Sequence, residues 1–317
     1  MRVTQSTIVQ QFIYNLQQNE QSILNTENEL STGKRLLQPQ DNPGGAAIAM
    51  QYQAGIDMTT QYLSNDQTAQ SWLTASGNYL QTAGSVLQQV QSLGLELGGP
   101  QADVPAISST LASLQGELLS VANAQFNGQY LFAGTDVTGA TTVIGGATVT
   151  TPYATMAGTT YFTSTAGTTV SYAFTSYVYA GNGGAMSTEI EPATHMQVNV
   201  QGSVFTKALN DVSSMVGALQ AGYVTLAATT LLTNVQNDLS QIETTQAVTG
   251  SWQQRLTQNT QSLQTVQTNL KTQLGNTQNV DIASAIVNLQ QEQNAYQSAL
   301  GVGAMIQQTT LLNYLHP

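Results

Sequence analysis

Apolar residues recur every seven positions near both ends of the chain. Near the start, the repeat consists of Val9, Leu16, Ile23 and Leu30, joined by Phe12. Near the end, it consists of Ile282, Leu289 and Tyr296, joined by Ile286 and Leu300. A seven-residue apolar repeat is typical of a helix that packs along a narrow stripe against another helix. We therefore predict a helix at each end, expect the two to pair, and take these ten residues as a candidate assembly interface.

The two terminal stripes are sparsely apolar. In the first segment, the intermediate seam positions are the polar residues Asn19 and Thr26. A helix with so little apolar surface is marginal by itself, because most helical stability in proteins comes from packing of the apolar face. Segments of this kind often fold only when they join a partner. The pattern predicts terminal helices that depend on other helices for their stability.

Broader apolar stripes lie between the two ends. From about residue 46 to 97, two neighbouring heptad rows predict a helix in a bundle: Trp72, Tyr79, Val86 and Leu93, and Leu73, Leu80 and Leu87. We expect Asn42 to cap the start of this helix, with Pro43 at its first position. Further helical periodicity appears around residues 107–121, 207–219 and 232–270. We expect Gly275 and Asn276 to break the last of these, and Asn279 or Asp281 to cap the terminal helix.

The middle of the chain has a different pattern. Residues 137–188 contain no charged side chain, and Val170, Tyr172 and Phe174 alternate with small or polar residues. Such alternation is typical of a half-buried strand. The fold class predicted is mainly α with a β-rich insert. We expect an elongated helical bundle built from the N- and C-terminal segments, with a small β domain at its far end.

The same pattern predicts a division of the chain into three parts. Residues 1–40 and 279–317 form terminal coiled-coil assembly helices. Residues 41–128 and 205–278 form a helical rod domain. Residues 129–204 form the β-rich insert domain. Each boundary follows a change in periodicity or composition.

Composition excludes several classes of function. Only 7% of the residues are charged, against about 25% in a usual globular protein, and the net charge is −11. That balance repels phosphate backbones, so we expect no nucleic-acid binding. No apolar run approaches the roughly 20 residues that span a bilayer, so we expect no membrane insertion. Residues 1–21 lack the apolar core of a cleaved signal peptide, and an extracellular location would then require export through an uncleaved signal.

Candidate catalytic or metal-binding groups are few. The chain has no cysteine and two histidines, of which His195 stands near Glu189 and Glu191. Their spacing matches no metal motif, so a solvated surface explains them better. A group of aromatic residues in the insert fits either a glycan-binding face or, more simply, a β core: Tyr161, Phe162, Tyr172, Phe174, Tyr177 and Tyr179. We predict no catalytic site, no metal and no cofactor, and hence that the protein is not an enzyme.

Short motifs spread along the chain resemble the flagellin-like hook-associated protein 3 family. They are Met1-Arg2-Val3-Thr4-Gln5, Leu30-Ser31-Thr32-Gly33-Lys34-Arg35, Asp41-Asn42-Pro43, Tyr130-Leu131-Phe132-Ala133-Gly134-Thr135, Val198-Asn199-Val200-Gln201-Gly202, Gln293-Asn294-Ala295-Tyr296-Gln297 and Leu311-Leu312-Asn313-Tyr314-Leu315. The motifs follow the order found in that family. Residues 137–188 resemble nothing in it. Gly250 also departs from the pattern, because the expected arginine comes later, at Arg255.

The resemblance implies a structural adapter at the junction between the flagellar hook and the filament. It implies that the terminal helices fold as subunits polymerise into a ring. The implied partners are other copies of the chain, the other hook-associated junction protein, flagellin and an export chaperone. The implied location is the extracellular flagellum, reached by flagellar type III export. Two alternatives stay open: a flagellin, which has the same kind of terminal helices, and a surface adhesin that binds glycans through the insert.

Overall fold

The computed structural model describes residues 5–36, 38–40, 42–138, 142–144, 147–163 and 169–315. Residues 1–4 and Asp41, which belong to two of the family motifs, lie outside the described residues. The described helices are α1 (Gln5–Thr32), α2 (Pro43–Glu96), α3 (Val104–Ala122), α4 (Ser203–Gln220), α5 (Val224–Leu226), α6 (Leu232–Gln278) and α7 (Ile282–Leu315). A π-helical turn, Ala227–Leu231, joins α5 to α6.

The described part of the chain has four antiparallel hairpins between α3 and α4. Their strands are β1 (Gln125–Phe126), β2 (Gln129–Tyr130), β3 (Thr142–Ile144), β4 (Ala147–Val149), β5 (Tyr153–Thr163), β6 (Thr169–Tyr179), β7 (Ser187–Glu191) and β8 (Thr194–Gln197). The pair β5–β6 is the longest and keeps an unbroken register from Tyr153↔Tyr179 to Thr163↔Thr169. The chain is therefore mainly α with a β-rich insert, as the sequence predicts.

Helix boundaries follow the capping residues at two of the predicted positions. The N–H of Gly45 donates to Asn42 Oδ1 at 2.9 Å, and Pro43 is the first residue of α2. Asp281 caps α7, because its Oδ1 accepts from the N–H of Ala283 at 3.0 Å. Each cap pairs a donor that would otherwise lack a partner within the helix.

The predicted break at Gly275 and Asn276 is wrong. Helix α6 continues to Gln278, and the N–H of Asn279 donates to the Gly275 carbonyl at 2.8 Å. A single glycine costs a helix about 1 kcal/mol, which neighbouring backbone hydrogen bonds can offset. The helix ends where backbone pairing with another segment begins, since Arg35 N–H donates to the Gln278 carbonyl at 2.7 Å.

The chain divides into two compact units. The terminal unit comprises Met1–Thr59 and Thr265–Pro317, and the central unit comprises Thr60–Gln264. The predicted division into terminal helices, rod and insert draws its boundaries elsewhere, and it stays a prediction.

The central unit contains a continuous hydrophobic core. Residues from α2, α3, α4 and α6 meet those of the hairpins there, and the largest fully buried side chains include Phe132, Phe205 and Leu209. The rings of Phe132 and Phe205 pack edge to face with centroids 4.8 Å apart. Because edge-to-face packing adds to the free energy gained by burial, this aromatic pair helps to fix the insert on α4.

Candidate assembly interface

Helices α1 and α7 lie side by side in antiparallel orientation within the terminal unit. Phe12, near the start of α1, packs next to Gly303, in the second half of α7. Ser22 and Thr26, further along α1, contact Glu292 of α7. The two chain ends thus pair through the segments in which the sequence shows matching heptad stripes.

A carboxylate joins the middle of this helix pair. Ser22 Oγ donates to Glu292 Oε1 at 2.6 Å, and Thr26 Oγ1 donates to Glu292 Oε2 at 3.0 Å. Thr26 is one of the polar seam positions, and it is buried. A charged acceptor strengthens hydroxyl hydrogen bonds, and two of them fix the lateral and axial positions of the helices. The heptad pattern does not identify Ser22 or Glu292, although a polar seam position at Thr26 favours a polar partner on the facing helix.

The helices α1 and α7 also come close together where Phe12 faces Gly303. A Cβ built on Gly303 would lie 2.5 Å from the Cζ atom of Phe12, which is closer than such atoms come in proteins. Glycine at this position therefore lets the aromatic ring of Phe12 rest against the backbone of α7. The heptad pattern identified Phe12, but it carried no information about the glycine opposite.

The far end of the pair is held by backbone contacts. Val280 N–H donates to the Gly33 carbonyl at 3.1 Å, and Lys34 forms an isolated antiparallel bridge with Asn279. Gly33 has φ +68°, a left-handed conformation that glycine adopts without steric cost. Beside this contact, the Ser284 side chain and the Ser284 and Ala283 N–H groups lower the pKa of the Asp281 carboxyl by hydrogen bonding to it.

The ten predicted interface residues divide into two groups. Half-buried in the terminal unit are Phe12, Leu16, Ile23, Leu30, Leu289 and Tyr296. The other four stay exposed: Val9 by 36%, Ile282 by 57%, Ile286 by 49% and Leu300 by 45%. The pairing of α1 with α7 brings the first group toward the seam, but it buries none of the ten fully.

Exposed apolar side chains concentrate in the terminal unit. Of the sixteen large apolar residues that are exposed among the described residues, all but Leu95 and Val248 belong to it. The fully buried apolar residues of this unit, again among those described, are Ala49, Ile56 and Ala285. Scattered exposed apolar residues are normal on a protein surface, but such a density marks a contact surface. The terminal unit thus exposes many apolar side chains and buries few of them in a core of its own.

Other candidate sites carry little chemistry. Glu189 and His195 are cross-strand partners on β7 and β8. No group of three or more His, Asp or Glu side chains that could hold a metal ion occurs in the described part of the chain. None of the described helices is long and apolar enough to cross a membrane.

The aromatic residues of the insert contribute to the core where the structure describes their side chains. Tyr172 and Tyr177 are buried, and Gln115 Nε2 donates to the Tyr177 hydroxyl at 2.8 Å. Burial raises the pKa of Tyr172 to about 12. Tyr172 and Tyr177 are therefore not available to a glycan-binding face, and the side chains of Tyr161 and Phe162 lie outside the described ones.

Comparison with known proteins places the two ends of the chain in one family. Residues 4–137 match the bacterial flagellin N-terminal helical region, and residues 232–315 match the bacterial flagellin C-terminal helical region. Together the two matches span well over half of the chain. No protein of curated function matches it significantly.

Solved structures share the fold at low sequence identity. A flagellar hook-associated protein from Vibrio parahaemolyticus aligns with a TM-score of 0.58 at 14% identity, over 75% of this chain and 100% of that one. FlgL from Xanthomonas campestris aligns with a TM-score of 0.55 at 14% identity, over 71% and 99%. FlgL from Bacillus cereus aligns with a TM-score of 0.50 at 14% identity, over 73% and 99%. These similarities show that the chain has the same fold as these proteins.

Proposed function

Because this chain belongs to the bacterial flagellin family, we propose that it is a structural adapter subunit of the flagellum, at the junction between hook and filament. The likeness in fold to hook-associated and FlgL proteins supports a junction protein over a filament subunit. The motifs at Asn42-Pro43, 130–135 and 311–315 support the same choice. The proposed role is mechanical, and it requires no catalytic group.

The observation that carries this proposal is the state of the terminal unit. Among the described residues, its apolar side chains are mostly exposed or half-exposed along both α1 and α7, and its few buried ones include two alanines. Covering the exposed half of a large aliphatic side chain yields on the order of 1 kcal/mol. Burial of these side chains against neighbouring subunits would therefore add to the stability of the pair α1–α7. Folding of the ends is then coupled to polymerisation, as expected for segments that lack a core.

The proposed partners are those that the family resemblance implies. Other copies of the chain cover the terminal stripes within a ring. On one side, the ring meets the other hook-associated junction protein, and on the other side it meets flagellin. An export chaperone protects the apolar ends before secretion through the flagellar type III route. The assembled protein is extracellular.

A filament subunit is the second candidate, because both family matches are to flagellin regions. The two functions differ in copy number and in the consequence of loss. An adapter is needed in one ring per flagellum, whereas a filament consists of thousands of copies. Quantitative proteomics of purified flagella therefore distinguishes them.

Deletion of the gene tests the proposal. Electron microscopy of the cells and proteomics of the medium should reveal hooks without filaments and flagellin shed into the medium. Normal filaments on the deletion strain would refute both candidates. Loss of filaments without shed flagellin would make this chain the filament subunit. Restoring the gene on a plasmid serves as the control.

A further inference from the structure

The hairpin β5–β6 has two edges with different surroundings. Its backbone groups alternate between pointing toward the partner strand and pointing outward, as in any antiparallel pair. Hydrogen bonds at the base of the hairpin show which residues direct their backbone groups outward. Tyr177 N–H donates to Asn210 Oδ1 at 2.8 Å, and Tyr153 N–H donates to Asn123 Oδ1 at 3.1 Å. Since Tyr177 pairs with Thr155, every second residue from Tyr153 to Thr163 directs its N–H and C=O outward.

Helix α4 covers the outer edge of β6. The Asn210 side chain accepts from Tyr177 N–H and donates from Nδ2 to the Tyr177 carbonyl at 2.8 Å, as a residue of a neighbouring strand would do. Ser213 Oγ donates to the Thr175 carbonyl at 2.6 Å. At Gly217, an added Cβ would lie 2.7 Å from the Ala173 carbonyl oxygen, so α4 lies directly against the strand. No further strand can pair with this part of β6.

The outer edge of β5 runs from Thr155 to Thr163. None of the described strands pairs with it, since the sheet consists of β5 and β6 alone. Natural sheet edges of this length usually carry a lysine, a proline or a bulge that prevents pairing with another molecule. Residues 153–163 contain no charged residue and no proline, and their register with β6 has no bulge. The edge is thus competent to accept a strand.

We propose that the open edge of β5 pairs with the same edge of a second copy of this chain, in antiparallel orientation about a two-fold axis at Thr159. The chain carries a net charge of −11, whereas residues 137–188 carry no charge, so two copies can meet at this segment without repulsion between like charges. Addition of β5 to β6 of another copy is blocked by α4. Pairing of β5 with β5 remains, and it closes at two copies because the two-fold contact uses the same edge of both.

The pairing has a definite register. With the axis at Thr159, the outward residue Thr155 lies opposite Thr163 of the second copy, and Ala157 lies opposite Tyr161. Each opposed pair exchanges two backbone hydrogen bonds, which gives about ten bonds across the contact. The terminal helices take no part, so this contact is independent of the adapter function.

Sedimentation of the full chain tests the pairing, in a Leu16→Lys background that weakens association through the terminal helices. We expect a dimer at about 100 μM for the parent and for Thr159→Ala, which keeps its N–H. Thr159→Pro should be monomeric with an unchanged circular dichroism spectrum, because proline removes an outward N–H and leaves the bonds to β6 intact. A monomeric parent, or a dimer that survives Thr159→Pro, would overturn the proposal.

Cysteine crosslinking tests the register independently. The chain contains no cysteine, so each introduced thiol is unique. We expect Thr159→Cys to form a disulfide-linked dimer on mild oxidation. Thr155→Cys and Thr163→Cys should each crosslink poorly alone and readily when the two variants are mixed. Equal crosslinking of all three variants alone would contradict the two-fold register.

Discussion

Thr26 and Glu292 lie 266 positions apart in sequence, and a 3.0 Å hydrogen bond joins their side chains across the antiparallel pair α1–α7. Ser22 donates to the same carboxylate from one turn earlier. The bonds bring together two chain segments that offer each other little apolar surface. These hydrogen bonds fix the axial position of α7 relative to α1, because a one-turn shift of α7 would leave the half-buried carboxylate without its donors.

Replacing Glu292 with alanine should loosen the terminal helix pair by about 1–3 kcal/mol, the usual cost of losing hydrogen bonds to a charged group. Hydrogen exchange measured by mass spectrometry should show faster exchange in residues 14–30 and 284–300, with no change in the central unit. Glu27→Ala is the matched control, because it removes an equal charge from an exposed position on α1. Equal effects of the two substitutions would show that the exchange rate depends on the lost charge rather than on the hydrogen bonds of Glu292.

A lysine at Leu16 or Leu289 should abolish assembly and leave the central unit folded. Both side chains are half-buried in the terminal unit, and a charge there opposes further burial by neighbouring subunits. The thermal unfolding of the central unit should stay unchanged, while cells that express the variant should lack filaments. Gln17→Lys, at an exposed position next to Leu16, should support normal filaments. Motile cells with the Leu16 variant would disprove the assignment of this seam.

Periodicity predicted the helices and the strand-rich insert, because both depend on local alternation of apolar and polar residues. Leu16 and Leu289 were placed on a helix seam for the same reason. Glu292 and Gly303 were missed, because their roles depend on which residue of the other chain end lies opposite. The continuation of α6 through Gly275 was missed because one unfavourable residue is outweighed by the hydrogen bonds of its neighbours.

Gly303 and Gly301 should respond differently to alanine. Alanine favours a helix over glycine by about 1 kcal/mol. At Gly301, where an added Cβ meets open space, this gain should appear in full as slower hydrogen exchange of α7. At Gly303 the new methyl group would overlap the Phe12 ring, so exchange of α1 and α7 should become faster.

The double variant Phe12→Ala, Gly303→Ala separates the helix preference of alanine from the overlap of its methyl group with the Phe12 ring. Without the ring, alanine at 303 should slow exchange relative to Phe12→Ala alone, because only the helix preference remains. If Gly303→Ala were stabilising in the presence of Phe12, the close approach would not restrict the pair.

The stability of the central unit should depend on pH through Asp238. Lys207 Nζ lies 2.6 Å from Asp211 Oδ2 and 3.0 Å from Asp238 Oδ1. Asp238 is buried, and its Oδ2 has no hydrogen-bond partner among the described residues. Burial raises the pKa of this carboxyl to about 6, while the hydrogen bond from Lys207 opposes the shift and the charge of Asp211 adds to it. The folded protein therefore holds a proton on Asp238 more tightly than the unfolded chain does.

This difference fixes the sign of the pH effect. Below the ordinary pKa of 3.8, both states are protonated, and the contribution of Asp238 to stability is fully present. As the pH rises to 6, the unfolded chain loses the proton first, and the free energy of unfolding falls by up to about 3 kcal/mol. Asp238→Asn should abolish this fall in the free energy of unfolding with rising pH, as measured by urea titrations between pH 4 and 7. Glu243→Gln, which removes a charge from an exposed position on the same helix, should keep it. An unchanged slope in Asp238→Asn would show that the carboxyl is ionised in the folded protein throughout this range, and that the contact with Lys207 outweighs burial.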